Sequence, residues 1–168
     1  GSEMCIRDRQ YVADLISWGA IGARTAESQI HRELASGLSC PIGIKNGTSG
    51  ALKPAIDGIQ AANHSHVFFS NTKEGMVSIY KTSGNSDAHI ILRGGSNPNY
   101  DSDAVEKTLV ALREAEVNES IMIDASHGNS QKQHKNQIMV TQKIADQISD
   151  GNLLIRGLML ESNLVEGN

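Results

Sequence analysis

The sequence predicts an α/β fold built on a mostly parallel sheet, and three observations carry that expectation. Short apolar runs bounded by turn residues alternate with longer segments of helical period, as in repeated strand and helix units. Five of these apolar runs end, at their carboxyl side, on a functional group. The 168 residues are 39% hydrophobic and 20% charged, the balance of one globular unit with its own core rather than of a disordered tail.

Strands are expected at about 17–24 (SWGAIGAR), 40–46 (CPIGIKN), 89–94 (HIILRG), 120–126 (SIMIDAS) and 153–161 (LLIRGLMLE). Their apolar content predicts burial on both faces. Helices are expected near 26–36, 51–63, 102–116 and 130–149. The third is the clearest: Asp101 or Ser102 can cap it, and Val105, Leu109 and Leu112 recur at helical spacing with charges opposite. The stretch HVFFSNTKEGMVSIYKTSGN breaks the rhythm and reads as a hairpin turning near Glu74 and Gly75, an insertion rather than a member of the parallel sheet. No low-complexity segment, short-period repeat or interdomain linker interrupts the chain. Residues 1–10 show neither strand nor helix periodicity and read as a non-native or junction segment, leaving 11–168 as one domain.

A net charge of -4 without a long basic run argues against nucleic acid or an anionic membrane as partner, since both need a concentrated cationic face. No run approaches the roughly 18 apolar residues of a membrane span, and the first residues lack a signal peptide's apolar centre. Cys5 and Cys40 are too few for a disulfide scaffold and are not spaced as a metal clip. The expectation is a cytoplasmic protein in a reducing compartment.

The five strand-end groups are Arg24, Lys45, Arg93, His127 and Glu161. In parallel α/β folds the carboxyl ends of the strands converge at one mouth, so these residues are expected to share a site. Three of them are cations in an acidic protein, and Gly47, Gly94 and Gly95 follow closely, where a missing side chain lets backbone and ligand approach. Arginine grips phosphate or carboxylate through paired donors and lysine adds a compact charge, which suits a small phosphorylated acid. Asp124 and His127 close one strand and Glu161 another; imidazole with carboxylate serves a divalent transition metal or a general acid and base pair, and the residue types leave both open. His31 and His134 fall in expected helices and His64, His66 and His89 at loop or strand starts, positions suited to surface or capping roles. GAIGAR lacks the full spacing of a dinucleotide fingerprint.

Four segments, SWGAIGARTAESQIHRELASGLSCPIGIKNGTSG, TSGNSDAHIILRGGSNPNY, IDASHGNSQKQH and ESNLVEGN, together resemble the class I, metal-dependent and feedback-regulated 3-deoxy-D-arabino-heptulosonate 7-phosphate (DAHP) synthases that open the shikimate pathway to aromatic amino acids. The resemblance runs from about Tyr11 to the last residue. It implies a TIM (β/α)8 barrel of which about strands four to eight and an inserted β-hairpin are present. It implies a transferase that condenses phosphoenolpyruvate with erythrose 4-phosphate, releasing phosphate. By the same resemblance Arg24, Lys45 and Arg93 bind phosphoenolpyruvate, His127 and Glu161 ligate a divalent metal (manganese, with Fe2+ or other ions as alternatives), and Lys45 and His127 are catalytic. Leu38, Ser39, Phe68 and Ser70 match positions that would line a pocket for an aromatic amino acid effector, and the intact parent is expected to be a homo-oligomer.

Several family features are not matched. A GPCS segment with a metal cysteine, a KPR segment that contacts both substrates and a metal aspartate are not found, and Cys5 in SEMCIRDR does not match the family cysteine. The expectation is that the intact parent is the enzyme, while this chain alone is inactive and exposes a sheet edge prone to association. Two other readings are a related synthase that condenses phosphoenolpyruvate with a different aldose phosphate, and a non-catalytic module that binds an anion or effector.

Overall fold

A computed structural model describes residues 13–165, so the expectations for residues 1–10 and Cys5 lie outside the described residues. After a short 3-10 turn at Ala13–Leu15 the chain runs β1 (Gly19–Ile21), α1 (Gln29–Gly37), β2 (Ile42–Lys45), α2 (Lys53–Asn63), β3 (Val67–Asn71), β4 (Val77–Lys81), β5 (His89–Leu92), α3 (Ser102–Glu114), β6 (Ile121–Asp124), α4 (Asn136–Ser149) and β7 (Ile155–Met159). Strands β1, β2, β5, β6 and β7 form one sheet in that order, every pair parallel. β3 and β4 pair only with each other, antiparallel, so the inserted hairpin stands apart from the parallel sheet as its sequence predicts.

The helices cover one face of the sheet. Ile42, Ile44, Ile90, Leu92, Ile121, Ile123 and Ile155 from the strands join Ala35, Ile59, Val105, Leu109, Val140 and Ile144 from the helices in a single core cluster. Alternation along a strand sends the intervening residues to the other face. The expectation of burial on both faces holds for the central strands, β5 being buried throughout and β2 and β6 at all but one position each, whereas the outer strands β1 and β7 are only partly buried. The second face carries Gly43, His89 and Ile91, with Trp18 laid over them: a Cβ on Gly43 would lie 2.4 Å from Ile91 Cδ1 and 3.1 Å from Trp18 Cζ2. It also carries Lys45 and Asp124 at its carboxyl rim, so packing side chains and chemistry occupy the same face at opposite ends.

The sequence-based element limits hold with physical adjustments. Asp101 caps α3 by accepting from Ala104 N at 2.9 Å, and Pro54 sits in the first turn of α2, where its missing N–H costs nothing. The last helix starts at Asn136 rather than near 130, because Gln131 and Lys132 take left-handed φ values of 54° and 60° that a helix cannot include. The first strand ends at Ile21, which leaves Arg24 in the turn beyond it. Glu161 stands two residues past β7.

The hairpin turns at Thr72–Met76 as expected, with Gly75 at φ 83° and Thr72 N donating to Met76 O at 2.8 Å. Its base is fastened to the end of α1, where Ser36 Oγ and Thr82 Oγ1 share a buried hydrogen bond of 2.8 Å. Phe68, Ser70, Ser78 and Tyr80 share one face of the hairpin, with the Phe68 and Tyr80 rings stacked, while Val67, Phe69, Val77 and Ile79 are exposed on the other. No helix among the described residues is long and apolar enough to cross a membrane.

His89 is the one histidine whose environment departs clearly from its sequence-based role. It is buried, accepts from Trp18 Nε1 at 3.2 Å and contacts Asp87 O at 2.9 Å through Nδ1. Burial lowers its pKa below the ordinary histidine value against the opposing pull of the Asp87 carbonyl. The unfolded chain therefore binds a proton that the folded one resists: the stabilisation is complete above the unfolded value and is lost as pH falls through the window below it. Thermal melts between pH 7 and pH 5 are expected to lose Tm more steeply for the native chain than for His89→Leu; parallel slopes would refute this.

Candidate active site at the strand ends

The site is assembled by strand endings. Lys45 is the last residue of β2 and Asp124 the last of β6, with β5 between them. The Lys45 ammonium crosses that gap to Asp124 Oδ2 at 2.7 Å, and the Asp124 side chain is wholly buried. Ser126 donates to Asp124 Oδ1 from its backbone N at 2.9 Å and its hydroxyl at 2.8 Å. Burial by itself pushes the Asp124 pKa up; the hydrogen bond and charge of Lys45, with the Ser126 donors, outweigh it and hold the carboxyl below the usual range.

His127 follows in a left-handed conformation, φ 51°, which is uncommon for a residue with a Cβ and stores a modest strain. The bend turns its ring so that Nδ1 meets Asp124 Oδ2 at 2.9 Å and Ser126 Oγ at 2.7 Å while Nε2 lies 3.5 Å from Glu161 Oε1. Asp124, His127 and Glu161 thus bring one potential ligand atom each within 4.8 Å of one another. Two donors bound to one ion at about 2.1 Å stand roughly 3.0–3.5 Å apart, so the imidazole and the Glu161 carboxylate have the spacing and the donor types of a divalent metal pair. Glu161 is exposed, but its backbone is clamped by the Gln137 side chain, which donates to Glu161 O at 2.8 Å and accepts from Glu161 N at 3.0 Å. Beside it opens a cavity of about 470 Å3 between His134, Gln137 and the segment 161–165.

Behind these groups the loops after β2, β5 and β6 are locked together. Buried Asn46 Oδ1 accepts from Arg93 N at 2.8 Å and from Asn99 Nδ2 at 3.2 Å, and its Nδ2 donates to Gly94 O at 3.1 Å. Asn99 Oδ1 accepts from Gly94 N, and Asn129 Oδ1 accepts from Asn99 N while its amide donates to Asp124 O at 2.8 Å. The glycines of RGG serve this packing, and the close approach of backbones expected of them is found between neighbouring loops. A Cβ on Gly95 would lie 2.3 Å from Gly50 N, and one on Gly94 2.5 Å from Asn129 N.

Of the residues singled out by sequence, Lys45, Asp124, His127 and Glu161 are brought together. Arg93 is half-buried beside Lys45's strand, its backbone held by Asn46 and Gly128 and its Nη1 3.4 Å from Gly94 O. Arg24 is exposed in its turn. Leu38 is part of the core cluster, Ser39 is exposed, and Phe68 and Ser70 are half-buried on the hairpin face shared with Tyr80. Ser126, Gln137 and the three asparagines went unnoticed by sequence reasoning. A signal existed for Asn46, which directly follows the apolar strand β2, and for Ser126 and Asn129, polar residues in the short segment after β6; Gln137 had none, since its partner lies 24 residues away.

The family model described as the DAHP synthetase I family matches residues 2–168. The Trp-sensitive phospho-2-dehydro-3-deoxyheptonate aldolase of Escherichia coli K12 is 54% identical over 158 residues, which cover 94% of this chain and 45% of that protein. The Phe-sensitive enzyme of the same strain is 57% identical over 159 residues, 95% of this chain and 45% of that protein. A solved structure of a phospho-2-dehydro-3-deoxyheptonate aldolase from Francisella tularensis SCHU S4 superposes with a TM-score of 0.89 at 52% identity, covering 95% of this chain and 47% of that one. The chain spans about half the length of the curated relatives it matches.

Proposed function

This chain belongs to the DAHP synthetase I family, and from that premise we propose that, within its full-length parent, it forms about the second half of a (β/α)8 barrel that condenses phosphoenolpyruvate with erythrose 4-phosphate. The products are DAHP and phosphate. The observation that carries the proposal is the meeting of Lys45, Asp124, His127 and Glu161 at the carboxyl ends of β2, β6 and β7, the face where barrel enzymes of this kind place their chemistry.

In this reading Arg24 and Arg93 hold the phosphate and carboxylate of phosphoenolpyruvate through paired donors, and Lys45 sets a compact positive charge beside them. C3 of phosphoenolpyruvate forms the new bond to the aldehyde carbon of erythrose 4-phosphate, water adds at C2, and phosphate leaves with its bridging oxygen by C–O cleavage. The buried Asp124 keeps the Lys45 ammonium directed across the mouth, where it stabilises developing negative charge or delivers a proton. A divalent metal, manganese in our reading, would be held by His127 and Glu161 and would supply Lewis acidity toward the aldehyde oxygen. The hairpin beside Leu38 and Ser39, with Phe68 and Ser70 on one face, is proposed to receive an aromatic amino acid effector; the Trp-sensitive and Phe-sensitive names of the relatives support this.

The test uses the full-length protein. Phosphate release is expected with phosphoenolpyruvate and erythrose 4-phosphate, to disappear on treatment with a chelator and to return with Mn2+. Equal or better turnover of arabinose 5-phosphate would move the activity to a related synthase, and indifference to chelation would remove the metal from the reading.

A further inference from the structure

The geometry points to Asp124 as a positioning residue that orients the His127 imidazole and the Lys45 ammonium from behind, rather than as a third metal ligand. The inference rests on the reading of His127 and Glu161 as the metal pair and specifies how that pair is held.

Proximity alone would make Asp124, His127 and Glu161 a three-ligand set. The hydrogen bonds argue otherwise. A carboxylate offers about four acceptor sites, and all four are in use: Oδ1 accepts from Ser126 N and Ser126 Oγ, Oδ2 from Lys45 Nζ and His127 Nδ1. The side chain is fully buried, with no site left facing the mouth. An ion on Oδ2 would have to displace either Lys45 or His127.

The same bonds assign the histidine proton. Asp124 Oδ2 is a carboxylate oxygen that can only accept, so at 2.9 Å it requires His127 Nδ1 to carry the proton, and the Ser126 hydroxyl, when it donates to Asp124 Oδ1, is free to accept from the same N–H. That leaves the lone pair on Nε2, the nitrogen that faces Glu161. A carboxylate behind a ligating imidazole is the arrangement that fixes its tautomer and ring plane. Here one oxygen also holds Lys45, so the metal pair and the substrate-side cation share a single anchor.

The test measures Mn2+ affinity of the full-length protein from the EPR signal of free Mn2+, and the visible spectrum after Co2+ loading. Asp124→Asn keeps the size of the side chain but turns one acceptor into a donor; it is expected to weaken Mn2+ about 10–100-fold while leaving the Co2+ spectrum, and hence the donor set, unchanged. Lys45→Met is measured as the reference for the double variant. The double variant Lys45→Met/Asp124→Asn leaves no buried ammonium without a partner, and it should show the same weakening even if Asp124→Asn alone folds poorly. His127→Ala should lose the site. Unchanged affinity in both Asp124 variants beside a lost site in His127→Ala would overturn the positioning role alone. A changed Co2+ spectrum in the Asp124 variants would make the carboxylate a ligand and overturn it as well. Parental affinity in His127→Ala would overturn the metal reading, and the proposal with it.

Discussion

Lys45→Met in the full-length protein is expected to lower kcat/KM for DAHP formation by about 10²–10⁴, the range for loss of one preorganised charge or proton donor. Methionine matches the length of the lysine stem, so the change removes charge and hydrogen bonds with little change of shape. The side chain is only 12% exposed, so solvent cannot stand in for the ammonium, and the Asp124 it leaves retains the donors of Ser126 and His127. Removing one partner of a buried ion pair also costs stability, about 3–5 kcal/mol. Kinetics should therefore be measured well below the variant's own melting temperature, with folding checked by circular dichroism. Activity within about tenfold of the parent would remove Lys45 from the chemistry.

The second large effect is structural. Gly95→Ala is expected to destabilise the protein by at least about 3 kcal/mol, a large part of the stability of a typical domain. The new methyl would lie 2.3 Å from Gly50 N and 2.4 Å from the carbonyl carbon and oxygen of Ser49, all backbone atoms that cannot rotate away. The two loops would have to separate, and Gly94, Asn99 and Asn46 are tied into the same network. Gly75→Ala is the control: nothing lies within 4 Å of its Cβ, and the expected cost is only the roughly 1 kcal/mol of placing a side chain at φ 83°. A Tm loss for Gly95→Ala no larger than that of Gly75→Ala would show that the loops are not interlocked.

Much of the architecture was legible because it is written in local period. IGIK, HIIL and IMID announce strands by unbroken apolar runs, and SDAVEKTLVALRE announces a helix by the spacing of Val105, Leu109 and Leu112. The limits of the last helix were not legible, since the left-handed residues Gln131 and Lys132 are types that also suit a helix. What packs on each sheet face was hidden too, because Ile90 and Ile91 are equally apolar and equally buried although Ile90 joins the core cluster with the helices and Ile91 lies beside Gly43 on the opposite face.

Hydrophobic runs and breakers in the sequence pointed to Arg24, Lys45, Arg93, His127 and Glu161, with Asp124 beside His127, as groups at or just past the strand ends. How these groups are divided between roles is visible only once the chain is folded. Asp124 lies behind His127 and Lys45, Gln137 clamps Glu161, and the glycines of RGG seat neighbouring backbones. The physical reason is range: periodicity reports contacts a few residues apart, whereas the pairing of Lys45 with Asp124 spans 79 positions and is set by strand order, register and burial.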